Sequence, residues 1–402
     1  MTYETLKRSH LKRNILIAVV VVAIISAIIL NFTRAKYRTT QSMPLIQGTI
    51  NFSPYDYKTV AMYIDGEPVD TLPDGKYELT EESYCTNEDN EKDESITLSY
   101  DSATQGLLIT PMNKKGTKCY LYFEEHKIPA GDTILASPNP PTGQTTDWTG
   151  GTTYYYTGNP NNWVQFAGFW WRIIRINGDG SIRMIYQGTS ANATGTETQI
   201  GTSAFDSDRY NKTHVGLVYD GTNQHGYGQP STIMTTLNNW YNSNLASFEE
   251  DYIDTGTGFC SDRNMASGSN FNASGTIYYA PYDRRNGSAS LQCHDDDILS
   301  KDNGKLQNPI GLVTSDEAVL TGITWDTPNT GSYLYTGETY WTMSPYYFYD
   351  SWAYVFVVYH NGRLNNWYVY NSRGVRPVIN LKSAIAISGS GTTSDPFKLS
   401  VE

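Results

Sequence analysis

Ile15 to Leu30 form a run of sixteen residues in which Ser26 is the single polar side chain, and Phe32 extends it. As a helix, Asn14 to Phe32 spans about 28 Å, close to the hydrocarbon thickness of a bilayer. Lys7, Arg8, Lys12 and Arg13 precede the run, and Arg34, Lys36 and Arg38 follow it. The charge asymmetry is slight, so length sets the expected orientation: a short tail (1–13) inside, a membrane helix at 14–32, and the long remainder exported. A cleaved signal peptide is the competing reading. It is disfavoured because no small-x-small cleavage site follows and the run is long for a signal core.

Charge limits the partners. Residues 1–38 hold seven Lys/Arg and one acid, so the rest carries 22 bases against 40 acids, a net of −18. Such a chain does not bind nucleic acid through its phosphates. Its four cysteines, Cys85, Cys119, Cys260 and Cys293, all lie in the exported part. An even number in an oxidising compartment points to disulfides, with three pairings open. Neighbour pairing, Cys85–Cys119 and Cys260–Cys293, keeps each bridge inside one domain. No C-x-x-C and no clustered histidine accompany them, so no metal site is expected there.

Residues 33–128 read as a small β-domain, a stalk. Thr49–Phe52, Thr59–Ile64, Ile96–Tyr100, Leu107–Thr110 and Cys119–Phe123 are β-branched and aromatic runs separated by turn dipeptides such as Asp65-Gly66. Residues 129–150, rich in Pro, Gly and Thr, read as a linker. Residues 151–402 read as one mixed domain. Trp163–Ile176 and Ser181–Tyr186 flank an Asn177-Gly178-Asp179-Gly180 turn. Pro230–Leu245 has helical spacing of Ile233, Leu237 and Trp240. Thr314 and Glu317 form a capping-box pair for a second helix from about Ser315, ended by Gly322. Strands are expected near Tyr340–Met343, Ala353–Tyr359, Leu364–Tyr370 and Val375–Leu381. The expected fold class is α+β.

Residues 345–374 stand apart. Eleven of these thirty are aromatic, over a third, against 13% in the whole chain. The segment has no Lys, no Glu and one acid, Asp350. Tyr and Trp supply stiff amphipathic contact area, while Ser, Asn and Gly adapt their hydrogen bonds; binding loops use this palette. The bland alternative is a core. Ala353, Val355 and Val357 alternate as an inward face, and Phe356 and Val358 opposite them speak for that alternative. Asn361-Gly362 is a hairpin turn signal. Polar Arg363, Asn365, Asn366 and Asn371 among the rings favour an exposed aromatic-polar patch.

Tyr340-Trp341-Thr342-Met343-Ser344-Pro345, this Tyr/Asn/Ser-rich stretch, and Arg373-Gly374-Val375-Arg376-Pro377-Val378-Ile379-Asn380-Leu381 resemble the C-terminus of variable proteins of diversity-generating retroelements. Phe169-Trp170-Trp171-Arg172-Ile173-Ile174 and Pro309-Ile310-Gly311-Leu312-Val313-Thr314-Ser315-Asp316-Glu317 are similar to bacterial surface proteins of that group. The resemblance covers about 151–402. It implies a C-type-lectin-like domain of the formylglycine-generating-enzyme type, here preceded by the small all-β domain and a single transmembrane helix. It also implies that a reverse transcriptase rewrites adenines of a template, turning Asn codons into Tyr, Ser, Asp, His and others. Ala353, Val355, Gly362 and Gly374 would be fixed positions, and Trp341, Arg376 and Pro377 scaffold.

The expected ligand-binding residues are Tyr346, Tyr347, Tyr349, Asp350, Ser351, Trp352, Tyr354, Tyr359, His360, Arg363, Asn365, Asn366, Trp367, Tyr368, Tyr370, Asn371 and Arg373. Their ligand would be a protein or glycan on another cell, host or phage, bound without cofactor or chemistry. An invariant adhesin or envelope-structural protein on the same fold is the alternative. An enzyme of the formylglycine-generating type is disfavoured, since no cysteine follows Cys293. Calcium-dependent sugar binding lacks its motifs: Gln229-Pro230-Ser231 is a poor match. Asp295, Asp297 and Asp302 are a weak calcium candidate by their clustered carboxylates; a solvated acidic loop is the favoured reading.

Overall fold

A computed structural model describes residues 42–44, 58–64, 66–72, 77–101, 106–111, 117–125 and 128–399. The chain divides into two compact units, Met1–Lys127 and Ile128–Glu402.

In the first unit, Lys118–Glu125 is the central strand of a five-stranded sheet. It pairs in parallel with Lys58–Ile64 and antiparallel with Tyr77–Leu79 and Tyr84–Thr86. Cys85 and Cys119 are direct cross-strand partners and form a disulfide. A three-stranded sheet of Ser42–Pro44, Gly106–Thr110 and Thr97–Asp101 completes the described part. The expected strand at 49–52 lies outside the described residues.

The second unit holds the aromatic segment. Its larger sheet contains β1 (Trp163–Phe166), β2 (Phe169–Ile176) and β3 (Ile182–Gly188). The β2–β3 hairpin turns at Asn177–Gly180, where Asn177 N–H donates to the Ser181 carbonyl at 2.8 Å. The smaller, six-stranded sheet is built from β4 (Thr202–Ala204), β5 (Ile277–Tyr278), β6 (Tyr340–Tyr349), β7 (Trp352–Val358), β8 (Leu364–Tyr368) and β9 (Ser372–Gly374). After it β10 (Val378–Leu381) returns to pair with β3. The chain thus passes from one sheet into the other between Gly374 and Val378. Val375, Ile379 and Leu381 are fully buried along that passage, and Pro377 is buried too.

Two helices stand where the spacing places them: α1 (Thr232–Asn244) and α2 (Ser315–Leu320). The α2 capping box is complete. Thr314 Oγ1 accepts from Glu317 N–H at 3.0 Å, and Glu317 Oε2 accepts from Thr314 N–H at 2.8 Å. The same glutamate has a second task. Its Oε1 accepts from Arg175 Nε at 3.0 Å and also pairs with Arg183, both on the β2–β3 hairpin. Arg175 reaches Asp147 as well, at 3.3 Å. All four side chains are essentially without solvent contact. Burial alone would raise the Glu317 carboxyl, but Arg183 and Arg175 outweigh it and hold the group below its ordinary value.

Two expectations are corrected. The class is mainly β, not α+β: among the described residues strand accounts for 34% and helix for 13%. Two clear helical signals weigh heavily in a sequence, whereas paired strands of two residues, such as β5, leave no period-2 pattern. The α+β class expected for the C-type-lectin-like domain is overturned by that count. Residues 14–32 lie outside the described residues, and among the described residues no helix is long and apolar enough to cross a membrane. Finally, residues 129–150 are not a linker. Ala130–Leu135 is a helix with Ala130 and Ile134 fully buried, and Gly143–Thr146 pairs with Thr152–Tyr155. Asp147 anchors the segment by accepting from Thr153 Oγ1 and Gly178 N–H, both at 2.8 Å.

Candidate ligand-binding face

The β6–β7 hairpin closes through a two-residue turn, Asp350-Ser351, flanked by the Tyr349–Trp352 pair. Both turn residues are left-handed, with φ of 48° and 67°. Two such residues make the turn that matches strand twist, usually with Asn or Gly in it. Serine in that region carries a backbone cost of about 1 kcal/mol.

Residues paired across antiparallel strands share a face. Tyr278, Tyr347, Tyr354 and Tyr368 are partners in β5, β6, β7 and β8. Their rings form one row, with centroids 5.5, 4.4 and 4.3 Å apart. Burial, and hydrogen bonding with Tyr368 and Tyr347, push the Tyr354 hydroxyl up, so it stays neutral. A second row lies nearer the turn. Tyr349 and Trp352 are cross-strand partners, and the Tyr370 ring is 6.2 Å from Trp352.

Arg209 closes this end. Its carbonyl accepts from Ala353 N–H at 2.8 Å, which fixes the 206–212 loop against the hairpin. Its guanidinium lies over Tyr370, Trp352 and Tyr210 at 4.2, 4.4 and 4.6 Å. Beside it a groove of about 650 Å³ is lined by Tyr210, Asn211, Lys212, residues 273–276 and residues 348–351. Tyr210 is 61% exposed and Tyr349 49%. Large rings with that much open surface, grouped at one place, mark a contact site more than isolated ones do.

The expected residues do not form one surface. Tyr347, Tyr349, Asp350, Ser351, Trp352, Tyr368 and Tyr370 gather at the turn end. Trp367 pairs with Val355 and Asn365 with Val357, so both point to the opposite face. There the Trp367 ring is 6.0 Å from Tyr359, and Arg373 lies over it at 4.0 Å. Tyr359 also packs on His360 at 4.0 Å, with Arg363 6.0 Å from the Tyr359 ring. Asn366 shares the face of Phe356, nearer the interior, and Asn371 turns back to the Tyr368 carbonyl.

Exposure is also narrower than expected. Tyr349, Asp350, Ser351, His360 and Tyr370 are exposed, while most of the other expected residues are half-buried. Tyr346 and Tyr354 are each only 7% exposed. Tyr346 stacks on Trp325 at 5.1 Å and belongs to the core. The physical reason is that both faces of β7 are covered: Phe356 and Val358 are as buried as Val355 and Val357.

Positions expected to be invariant are sterically closed. Ala353 and Val355 have no exposed surface. A Cβ on Gly362, at φ +83°, would lie 2.6 Å from the Asn329 carbonyl oxygen, and one on Gly374 2.2 Å from the Gln199 side chain. Trp341 is buried and donates to the Ser203 carbonyl at 2.8 Å. Buried Arg376 donates to the Tyr186 carbonyl at 3.0 Å and to Gln187 Oε1 at 2.7 Å.

Arg209, Tyr210, Lys212 and residues 273–276 were not expected. The available signal was the Asp206-Ser207-Asp208-Arg209-Tyr210-Asn211 run, which uses the same palette as 345–374.

Both expected disulfides form, Cys260–Cys293 being the one in this unit. The acidic run beside it holds no calcium set. Asp297 is fully buried and occupied: it accepts from Arg263 Nε at 3.0 Å and pairs with His225 Nδ1 at 3.0 Å. Asp295 and Asp302 are exposed, and among the described residues no group of His, Cys, Asp or Glu is arranged to hold a metal. Comparison with family models, curated proteins and solved structures finds no match for this chain.

Proposed function

We propose that the chain is a ligand-recognition protein whose binding face is the turn end of the β6–β7 hairpin together with the 206–212 loop. The observation that carries this is the co-location of exposed Tyr210, Tyr349 and Tyr370 with a polar-walled groove. Beneath them the tyrosine row and Trp352 hold the surface rings on a stiff platform, which lowers the ordering cost of binding. Tyr346 and Tyr354 are framework, not contacts. The two disulfides fit a protein that works in an oxidising compartment, consistent with display outside the cell.

We further propose that the exposed positions are the ones a retroelement varies. Support comes from the partition of the segment. Tyr349, Asp350, Ser351 and Tyr370 of that palette are exposed, while Ala353 and Val355 have no exposed surface and a Cβ on Gly362 or Gly374 collides. A protein library randomised at Tyr210, Tyr349 and Tyr370, with the left-handed turn residues Asp350 and Ser351 varied only among Asp, Asn, Ser and Gly, tests both points. Most members should retain the parent's unfolding midpoint, and selection on cell-surface glycans and proteins should yield new binders. Widespread loss of folding would overturn the proposal. A template repeat and a reverse-transcriptase gene beside the coding sequence would be the genomic counterpart.

A further inference from the structure

The arginines of this unit differ in how their charge is met. Arg175, Arg183, Arg263 and Arg284 each pair with a carboxylate. Buried Arg172 and Arg376 spend their N–H groups on carbonyl and amide oxygens instead. Arg209, like Arg363 and Arg373 on the opposite face, has no carboxylate within ion-pair distance among the described residues, and it alone of these three has three rings around it. Its one side-chain hydrogen bond goes from Nη2 to the Tyr210 hydroxyl at 2.7 Å, and its Nε is buried without a partner. A guanidinium flattened between aromatic faces is oriented but electrostatically unspent. Its remaining N–H groups suit a carboxylate, which accepts in the plane of the fork.

The neighbouring groove decides what carries that carboxylate. Its walls offer hydroxyls from Ser274, Thr276 and Ser351, the Asn211 amide, the Asp350 carboxylate and one ammonium, Lys212, which is turned onto the Phe271 carbonyl and ring. Those groups suit a ligand with several hydroxyls. Tyr349 gives a flat exposed ring for the C–H face of a sugar. Asp350 works against a run of carboxylates, as in an acidic peptide, because like charges repel at close range. The groove also lacks a deep apolar pocket of the kind that anchors a peptide side chain.

We infer that the face takes a pyranose bearing a single carboxylate, with the carboxylate on Arg209, hydroxyls on Asp350 and the groove walls, and the ring against Tyr349. This rests on the recognition-face reading above. Uronic and sialic residues share that chemistry, and separate probes distinguish them.

The test is binding of the full chain to the methyl glycoside of galacturonic acid, sialyllactose, neutral lactose and polyglutamate, by isothermal titration at low and high salt. One or both acidic sugars should bind, weaker at high salt, with lactose and polyglutamate at least tenfold weaker. Arg209→Gln should cost tenfold or more at an unchanged unfolding midpoint. Should that variant fail to fold, Arg209→Lys keeps a charge but loses the fork, and should also weaken the acidic sugar. Binding of lactose as tight as of the acids, preference for polyglutamate, no binding of either acidic sugar, or indifference to the Arg209 variants would each overturn the inference. Binding of another probe that still depends on Tyr349 would leave the recognition face standing. No binding that depends on Tyr349 would remove both.

Discussion

The interior around Glu317 and the turn end around Arg209 both set arginine beside aromatic side chains, yet the charge is met differently in each. At Glu317 one carboxylate caps a helix, receives two guanidiniums and is sealed from water. Nothing there is left for a ligand. At Arg209 the guanidinium has the rings and lacks the carboxylate, and water reaches the rim through Tyr210 and Tyr349. Between these two places, the carboxylate partner, more than residue type, is what differs.

The largest expected effect breaks the interior member of that comparison. Glu317→Gln leaves Arg175 and Arg183 buried with only Asp147 to answer them. Removing one partner from a buried ionic cluster costs about 3–5 kcal/mol, measurable by denaturant unfolding at neutral pH. A carboxyl held below its ordinary value adds stability above the unfolded pKa, and this is lost as pH falls through the folded one. Glu317, Asp147 and Asp297 are all held down in this way. Unfolding stability should therefore change little from neutral pH to about 5 and fall below about 4. Glu317→Gln should flatten part of that fall.

Next in size is Tyr354→Ala, which opens the middle of the tyrosine row. With both stacked neighbours lost, about 3 kcal/mol of destabilisation is expected. A cost near that of an exposed ring would show that the row is not framework. Ser351→Gly acts in the other direction. It relieves a left-handed serine at φ 67° and should stabilise by about 1 kcal/mol, read as a raised unfolding midpoint. Smallest is Tyr349→Ala, expected within about 0.5 kcal/mol because half the ring is already in water.

Much of the framework was legible in residue order. Cysteine parity and spacing pointed to both bridges, the Thr314/Glu317 pair to the start of α2, and Asn361-Gly362 to the β7–β8 turn, where Gly362 N–H donates to the Tyr359 carbonyl at 2.8 Å. These signals are local: each depends on residues a few places apart or on one loop closure. The composition of 345–374 drew attention to the candidate face but could not show which side each ring takes. Val355 and Phe356 look equally apolar, and only the sheet pairing reveals that Trp367 turns away from Tyr368. Arg209 is more than 130 residues from the hairpin it covers, and no spacing in the chain announces that contact. The apparent linker hid its role for a related reason: Asp147 reads as an ordinary loop acid until Arg175 and Gly178 stand beside it.

The central claim is that rings at the turn end contribute contact and not stability, and the Tyr349→Ala, Tyr370→Ala double variant tests it most directly. The full chain and the variant are compared on one array of cell-surface glycans and proteins, with unfolding midpoints taken from the same preparations. The account predicts matching midpoints and at least a tenfold loss on every probe the parent binds. An unfolded variant, or one that binds as the parent does, would contradict it.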